Sequence, residues 1–165
     1  MIKVLFICHG NICRSPMSEF VLKDMVEKRG IQSQFEIASA ATSTEEIWGK
    51  VGNPIYPPAQ EELKKHGIGS TPYTDFSHKR AVQVTKADYA HYDYLLCADT
   101  MNIRNTIRIT GPDVEHKIRL LLDFTDRPGS IADPWYTGGF SETYRDVVEG
   151  CTAFLAYLRD VGRLN

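Results

Sequence analysis

Ile2-Lys3-Val4-Leu5-Phe6-Ile7-Cys8-His9-Gly10-Asn11-Ile12-Cys13-Arg14-Ser15-Pro16 is the stretch that sets both fold and chemistry in this 165-residue chain. Ile2 to Ile7 is an apolar run of the kind that forms a buried β-strand. Pro16 suits the first turn of a helix, and Ser18 to Arg29 carries apolar residues at Phe20, Val21, Met25 and Val26. A strand, a short loop and a helix in that order aim backbone N–H groups and a positive helix end at one point. Cys8 lies at that point. The loop therefore reads as an oxyanion cradle with a sulfur nucleophile at its base, built to cleave a phosphate ester.

The residue types fit that chemistry. A free thiol has a pKa of about 8.5, and only the thiolate is a strong nucleophile. Amide N–H groups, a helix N-terminus and the nearby Arg14 guanidinium would all favour the anion at Cys8. Arg14 can grip two phosphoryl oxygens with one planar fork, which a lysine cannot. Gly10 permits a backbone turn that a side chain would obstruct, and Asn11 tolerates a left-handed conformation while its amide braces the loop. Ser15 can donate a hydrogen bond to the Cys8 sulfur and help it depart later.

A thiolate that takes a phosphoryl group needs an acid to protonate the departing oxygen. Asp133-Pro134-Trp135-Tyr136 supplies the candidate. Proline biases Asp133 towards an extended, loop-like backbone, and Thr137-Gly138-Gly139 forms a flexible exit. A mobile acid beside two aromatic rings is what an aryl phosphate requires. An ordinary Asp-Pro turn is the rival reading of these residues taken alone.

Cys8 to Pro16 followed by Asp133-Pro134-Trp135-Tyr136 resembles the low-molecular-weight protein tyrosine phosphatase family, in a bacterial-type form. Chain length, Ser39-Ala40-Ala41-Thr42 after the second strand and Thr85-Lys86-Ala87-Asp88 before the third extend the likeness. It implies that Cys8 is the nucleophile, Arg14 the phosphate-binding arginine and Ser15 the hydroxyl assisting thiolate departure. It implies that Asp133 is the general acid and later the base. A phosphocysteine intermediate, a phosphotyrosine-containing protein substrate and no cofactor follow from the same likeness.

Asn11 and Ser39 match a hydrogen-bonded brace, and His9, Gly10, Ile12 and Cys13 complete the cradle. Glu19 with His78 resembles a supporting pair behind it. Trp135 and Tyr136 match an aromatic wall, and Trp48 is the candidate for a second wall, with simple packing as its alternative. The family likeness also suggests a reversible Cys8–Cys13 disulfide that protects the nucleophile. Two features depart from the family pattern. His9 stands where an aliphatic or small residue is common, and Ser43 to Tyr56 is longer than in eukaryotic members.

Composition fits one cytoplasmic enzyme domain spanning residues 1–165. Hydrophobic residues make up 42% and charged residues 24%, ordinary globular proportions. A net charge of −2 gives no basic footprint for nucleic acid or anionic membrane. The run from Val4 to Cys8 is too short for a signal peptide, and no run approaches a membrane span. Cys8, Cys13, Cys97 and Cys151 lack zinc-site spacing, so no metal is expected. Cys97 and Cys151 read as core filler. Nothing in the sequence sets the oligomeric state.

The remaining elements alternate. Phe35 to Ser39 reads as the second strand, Tyr94 to Ala98 as the third and Lys117 to Leu122 as the fourth. Pro57 to His66 has helical character with Gly67 as its stop, Lys86 to Ala90 is a helical turn, and Thr100 to Ile109 suggests a helix. Phe140 to Arg163 is a long amphipathic helix with Tyr144, Val147, Val148, Cys151, Phe154, Leu155 and Leu158 on one stripe. The pattern predicts an α/β fold: a four-stranded parallel sheet with helices on both faces and right-handed crossovers. The family likeness supplies the order 2-1-3-4, which puts the Cys8 loop at a topological switch point. Two rival functions share this fold. An arsenate reductase would need extra cysteines for a disulfide relay, and the centre offers only Cys97. A phosphoarginine phosphatase carries threonine where this chain has Ile12.

Overall fold

The unbroken buried run from Val4 to Cys8 makes the first strand the middle of the sheet in the computed structural model, which describes residues 1–165. Strand β1 (Ile2–Cys8) pairs in parallel with β2 (Phe35–Ala41) on one side and β3 (Tyr94–Cys97) on the other. Strand β4 (Ile118–Leu120) pairs in parallel with β3, so the order is 2-1-3-4. The sheet is covered on both faces, and β1 therefore needs no polar alternation. Ile2, Val4, Phe6 and Cys8 join the larger core cluster, while Leu5 and Ile7 join the smaller one.

Helices α1 (Arg14–Lys28), α2 (Pro57–Lys65) and α6 (Phe140–Asp160) serve the larger core through Met17, Phe20, Leu63, Phe154 and Leu155. Helices α3 (Lys86–His91) and α4 (Thr100–Thr110) cover the opposite face, packing Tyr89, Ile103 and Ile107. Short α5 (Pro134–Thr137) lies just before α6. Thr85 and Asp99 each start their helix with a reciprocal capping box, which fixes the chain direction as it leaves the sheet.

The last strand is shorter than the sequence suggests. Leu121 and Leu122 leave β4 for a 3₁₀ turn, Leu121–Phe124, and both side chains enter the larger core. Gly150 on α6 makes room, because a Cβ there would lie 2.5 Å from Leu121 Cγ. Strand β2 runs two residues further than expected, since Ala40 and Ala41 pair with Ile7 and Cys8. The long helix ends at Asp160, where left-handed Gly162 turns the Arg163 N–H back to the Leu158 carbonyl. Residues 43–56 contain a hairpin that periodicity does not reveal, pairing Ile47 with Gly52 and Trp48 with Val51.

Candidate active site

Strand β1 ends at Cys8 and α1 begins at Arg14, so the intervening loop sits at the carboxyl edge of the sheet's central strand. Neighbouring strands β2 and β3 close both sides of it. Asn11, at φ 60°, takes the left-handed conformation, and Gly10 does not. Gly10 matters by what it leaves out: a Cβ there would lie 3.3 Å from Glu46 Cγ. The turn brings the Asn11 N–H to 3.3 Å from Cys8 Sγ, and Ser15 Oγ lies 3.0 Å from the same sulfur.

Asn11 ties this loop to the body of the protein. Its Nδ2 donates to Ser15 Oγ at 2.7 Å and to Ser39 Oγ at 2.9 Å, while its Oδ1 accepts from the Val82 N–H at 3.1 Å. Ser39 in turn donates to Glu19 Oε1 at 2.6 Å. The Glu19–His78 pair expected from sequence does not form. His78 is exposed, and the next residue, Lys79, turns inward to donate to the Ser39 carbonyl at 2.9 Å and approach Glu19 at 3.7 Å. Lys23, one helical turn along, pairs with the other Glu19 oxygen at 2.8 Å.

Arg14 is buried and anchored on one side only. Nη1 donates to Asp99 Oδ2 at 2.6 Å and to the Ile131 carbonyl at 2.9 Å. Nη2 reaches Asp133 Oδ2 at 3.5 Å, a long contact. Burial works against the Arg14 charge, yet Cys8, Asp99 and Asp133 more than offset it, and its pKa is raised. The guanidinium is thus a fixed cation beside the sulfur, with Nε free of protein partners. Asp99 escapes a sequence reading because it looks like an ordinary helix cap, a role it also fills at α4.

Asp133 faces the loop from the far end of the chain. Its backbone is extended, and its Oδ1 accepts from the Trp135 N–H at 3.1 Å, so it caps α5 rather than lying in a loose loop. Pro134 occupies the first helical position, where no N–H is needed. Trp135 and Tyr136 line one side of the cleft over Cys8. Trp135 is half exposed and leans on Tyr56, the two ring centres lying 4.7 Å apart. The Tyr56 N–H also donates to the Ile12 carbonyl at 2.9 Å, so one residue touches both the cradle and the aromatic wall.

Trp48 does not form the second wall. It sits on the exposed hairpin and donates its ring N–H to the Glu45 carbonyl at 3.3 Å. Glu45 and Glu46 border the cleft in its place, with His9 paired to Glu45 at 3.0 Å and Asn53 to Glu46 at 2.9 Å. Burial raises the pKa of Cys13, aided by the charges of Cys8 and Asp133, and burial likewise raises those of Cys97 and Cys151. No group of three or more His, Cys, Asp or Glu side chains is arranged to hold a metal ion. No helix is long and apolar enough to cross a membrane.

Residues 3–163 match the family model for low molecular weight phosphotyrosine protein phosphatases. The low molecular weight protein-tyrosine-phosphatase YfkJ of Bacillus subtilis is 34% identical over 161 residues, covering 96% of this chain and 97% of that one. The human low molecular weight phosphotyrosine protein phosphatase is 39% identical over 157 residues, or 92% of each chain. Among solved structures, the crystal structure of YfkJ superposes with a TM-score of 0.87 at 32% identity, covering 98% and 97%. A Drosophila arginine phosphatase superposes at 0.80 with 30% identity, covering 96% and 98%. With the family model spanning nearly its whole length, this chain belongs to the low molecular weight phosphotyrosine protein phosphatase family and is a hydrolase of that class.

Proposed function

We propose that the chain hydrolyses phosphotyrosine in proteins through a phosphocysteine intermediate, with residues 1–165 acting as one domain. The observation that carries this reading is the placement of Cys8 Sγ between the Asn11 N–H and Ser15 Oγ, with Arg14 spanning from Asp99 to Asp133 beside it. In the first step the Cys8 thiolate attacks phosphorus, the S–P bond forms and the P–O bond to the aryl group breaks. Asp133 gives its proton to the departing phenolic oxygen. Arg14 and the loop N–H groups meet the charge on the equatorial oxygens. In the second step Asp133 takes a proton from water as it attacks phosphorus, and the S–P bond breaks. The Ser15 hydroxyl stabilises the departing thiolate, and inorganic phosphate leaves.

Trp135 and Tyr136 at the cleft support an aromatic phosphate ester, since they offer flat apolar surface to a phenyl ring. Ile12, which lines the same cleft, adds apolar surface where a phosphoarginine phosphatase resembles this site but carries threonine. The likeness to the Drosophila arginine phosphatase keeps phosphoarginine as the competing substrate. A thiol-relay arsenate reductase has less support, because Cys97 and Cys151 are both sealed in the core. Four unpaired cysteines suit a reducing, cytoplasmic setting. The deciding measurement is turnover of matched phosphotyrosine, phosphoserine and phosphoarginine peptides by the purified protein in chelator. Preference for phosphotyrosine is expected. Faster release from phosphoarginine would transfer the assignment to that substrate.

A further inference from the structure

His9, the cradle residue that departs from the family pattern, is exposed at the cleft while its neighbour Cys8 is buried. Its carbonyl accepts from the Ser43 N–H at 3.0 Å, and its Nε2 lies 3.0 Å from Glu45 Oε2. The Glu45 backbone is held without help from the His9 ring. Its N–H donates to Ser43 Oγ at 3.4 Å, and its carbonyl accepts from the Trp48 ring. Loss of a proton from His9 therefore changes the charge of the rim without releasing the segment that carries it.

Charge at the rim is lopsided. Arg14 is the only other basic residue lining the cleft, and it is buried and already shared between Asp99 and Asp133. Glu46 accepts from the neutral amide of Asn53, which leaves its charge in place. Protonated His9 is thus the one cation that can offset Glu45 and Glu46. Both members of the His9–Glu45 pair are well solvated, so the pair adds little to stability. Its consequence is electrostatic: an imidazole changes charge between about pH 5 and pH 8, where carboxylates keep theirs.

We propose that His9 is a specificity-determining residue that couples the choice of phosphopeptide to pH. Protonated, it cancels Glu45, and the rim discriminates weakly between flanking charges. Neutral, it leaves Glu45 and Glu46 both unopposed, and the rim selects a phosphotyrosine with lysine or arginine beside it. The remaining charged and titratable groups lining the cleft are Cys8, Cys13 and Arg14 on the nucleophile side, with Asp133 and Tyr136 on the acid side. Their effect on turnover is common to two peptides that differ only in flanking charge, so it cancels in the ratio of rates.

The test is kcat/KM at low salt for two phosphotyrosine peptides, identical except for lysine or glutamate on either side of the phosphotyrosine. From about pH 5.5 to pH 8 the lysine-to-glutamate ratio should rise about 3- to 10-fold, the scale of one unit charge in water acting oppositely on the two flanks. His9→Leu and the polar His9→Gln should hold the ratio at its high-pH value throughout, and His9→Lys at its low-pH value. Glu45→Gln should lower the ratio at every pH yet keep the rise, since His9 still titrates. A ratio that stays flat in the original protein overturns the proposal, as does a rise that survives in His9→Leu and His9→Gln. This role rests on phosphotyrosine being the substrate, and titrating the same peptides onto Cys8→Ser protein separates the two readings. A pH-dependent affinity ratio without hydrolysis by the original protein would refute the reaction and retain the role of His9. Hydrolysis with a flat ratio would do the reverse.

Discussion

The two sides of the cleft are held by opposite means. On the nucleophile side, Cys8, Asn11, Arg14 and Ser15 are almost completely buried, and their polar atoms bond to one another and to Ser39, Asp99 and Ile131. On the acid side, a single-turn helix carries Trp135 half exposed and Tyr136 84% exposed. It is fastened by a cap, by one 3.5 Å contact to Arg14 and by the Tyr56 ring. The difference suits the tasks proposed for the two sides. Charge that develops on phosphorus is best met by dipoles already in place, which need not reorganise during reaction. An acid that must meet a bulky protein-borne ring, and then let it go, gains from an exposed and lightly held segment.

The largest expected effect comes from the rigid side. Cys8→Ser should abolish essentially all turnover, because a serine hydroxyl in that cradle lacks the activation a thiolate has. The loop's donors do not depend on sulfur, so vanadate or phosphate should still bind. Substantial residual hydrolysis in Cys8→Ser, measured with a chromogenic aryl phosphate, would remove the covalent mechanism and with it the meaning of the contrast.

On the lightly held side the loss should be partial and depend on the substrate. Removing a general acid typically costs about 10²–10⁴ in rate, or roughly 3–5 kcal/mol of barrier. Asp133→Asn keeps the size and the capping oxygen, so α5 should persist while kcat falls and KM changes little. The deficit should shrink as the leaving group becomes more acidic and departs without a proton. A deficit of constant size across a leaving-group series points to a disturbed fold instead.

How much could be read from the sequence divides along the same line. The rigid side is local: strand, loop and helix follow one another within residues 2–28, and periodicity plus residue type place nearly all of it. What eluded that reading is the support that comes from far along the chain. Asp99 holds Arg14 across 85 positions, and its capping box conceals the second role. Lys79 and His78 are adjacent in an irregular segment, and no period decides which one turns inward. On the other side, Asp133, Trp135 and Tyr136 could be assigned to the cleft they line because the chemistry proposed for Cys8 requires an acid. Tyr56 and the Glu45–Glu46 rim were not, since residues 43–56 adopt a hairpin that neither apolar alternation nor helical spacing announces.

Tyr56 bridges the two sides, and its loss should be modest. An aromatic pair contributes about 0.5–1.5 kcal/mol beyond its area. Tyr56→Leu should therefore lower kcat/KM about 2- to 10-fold by loosening Trp135, with Cys8 alkylation unaffected. Tyr56→Phe should be silent, as no side-chain hydrogen bond depends on its hydroxyl. A loss matching that of Asp133→Asn would mean that the acid segment is far more rigidly coupled to the cradle than its exposure suggests.

The smallest effect on turnover should come from Cys13, which shares the cradle but is buried and holds its proton firmly. Cys13→Ser should leave kcat and KM close to the original values. The difference should emerge only under peroxide, which attacks the thiolate first and converts it to a sulfenic acid that a neighbouring thiol can capture as a disulfide. In the original protein, Cys13 would lose its proton as it attacks the Cys8 sulfenic sulfur, and water would leave. Dithiothreitol should then restore activity. In Cys13→Ser the sulfenic acid goes on to sulfinic acid, and the recoverable fraction should fall with exposure time. Phosphate should slow inactivation of both proteins by covering Cys8. Capture by Cys13 requires that the two Cα atoms come within about 7 Å with their Cβ atoms facing each other. Equal recovery of the two proteins, or mass spectra pairing Cys8 with another cysteine, would leave Cys13 as a packing residue of the rigid side.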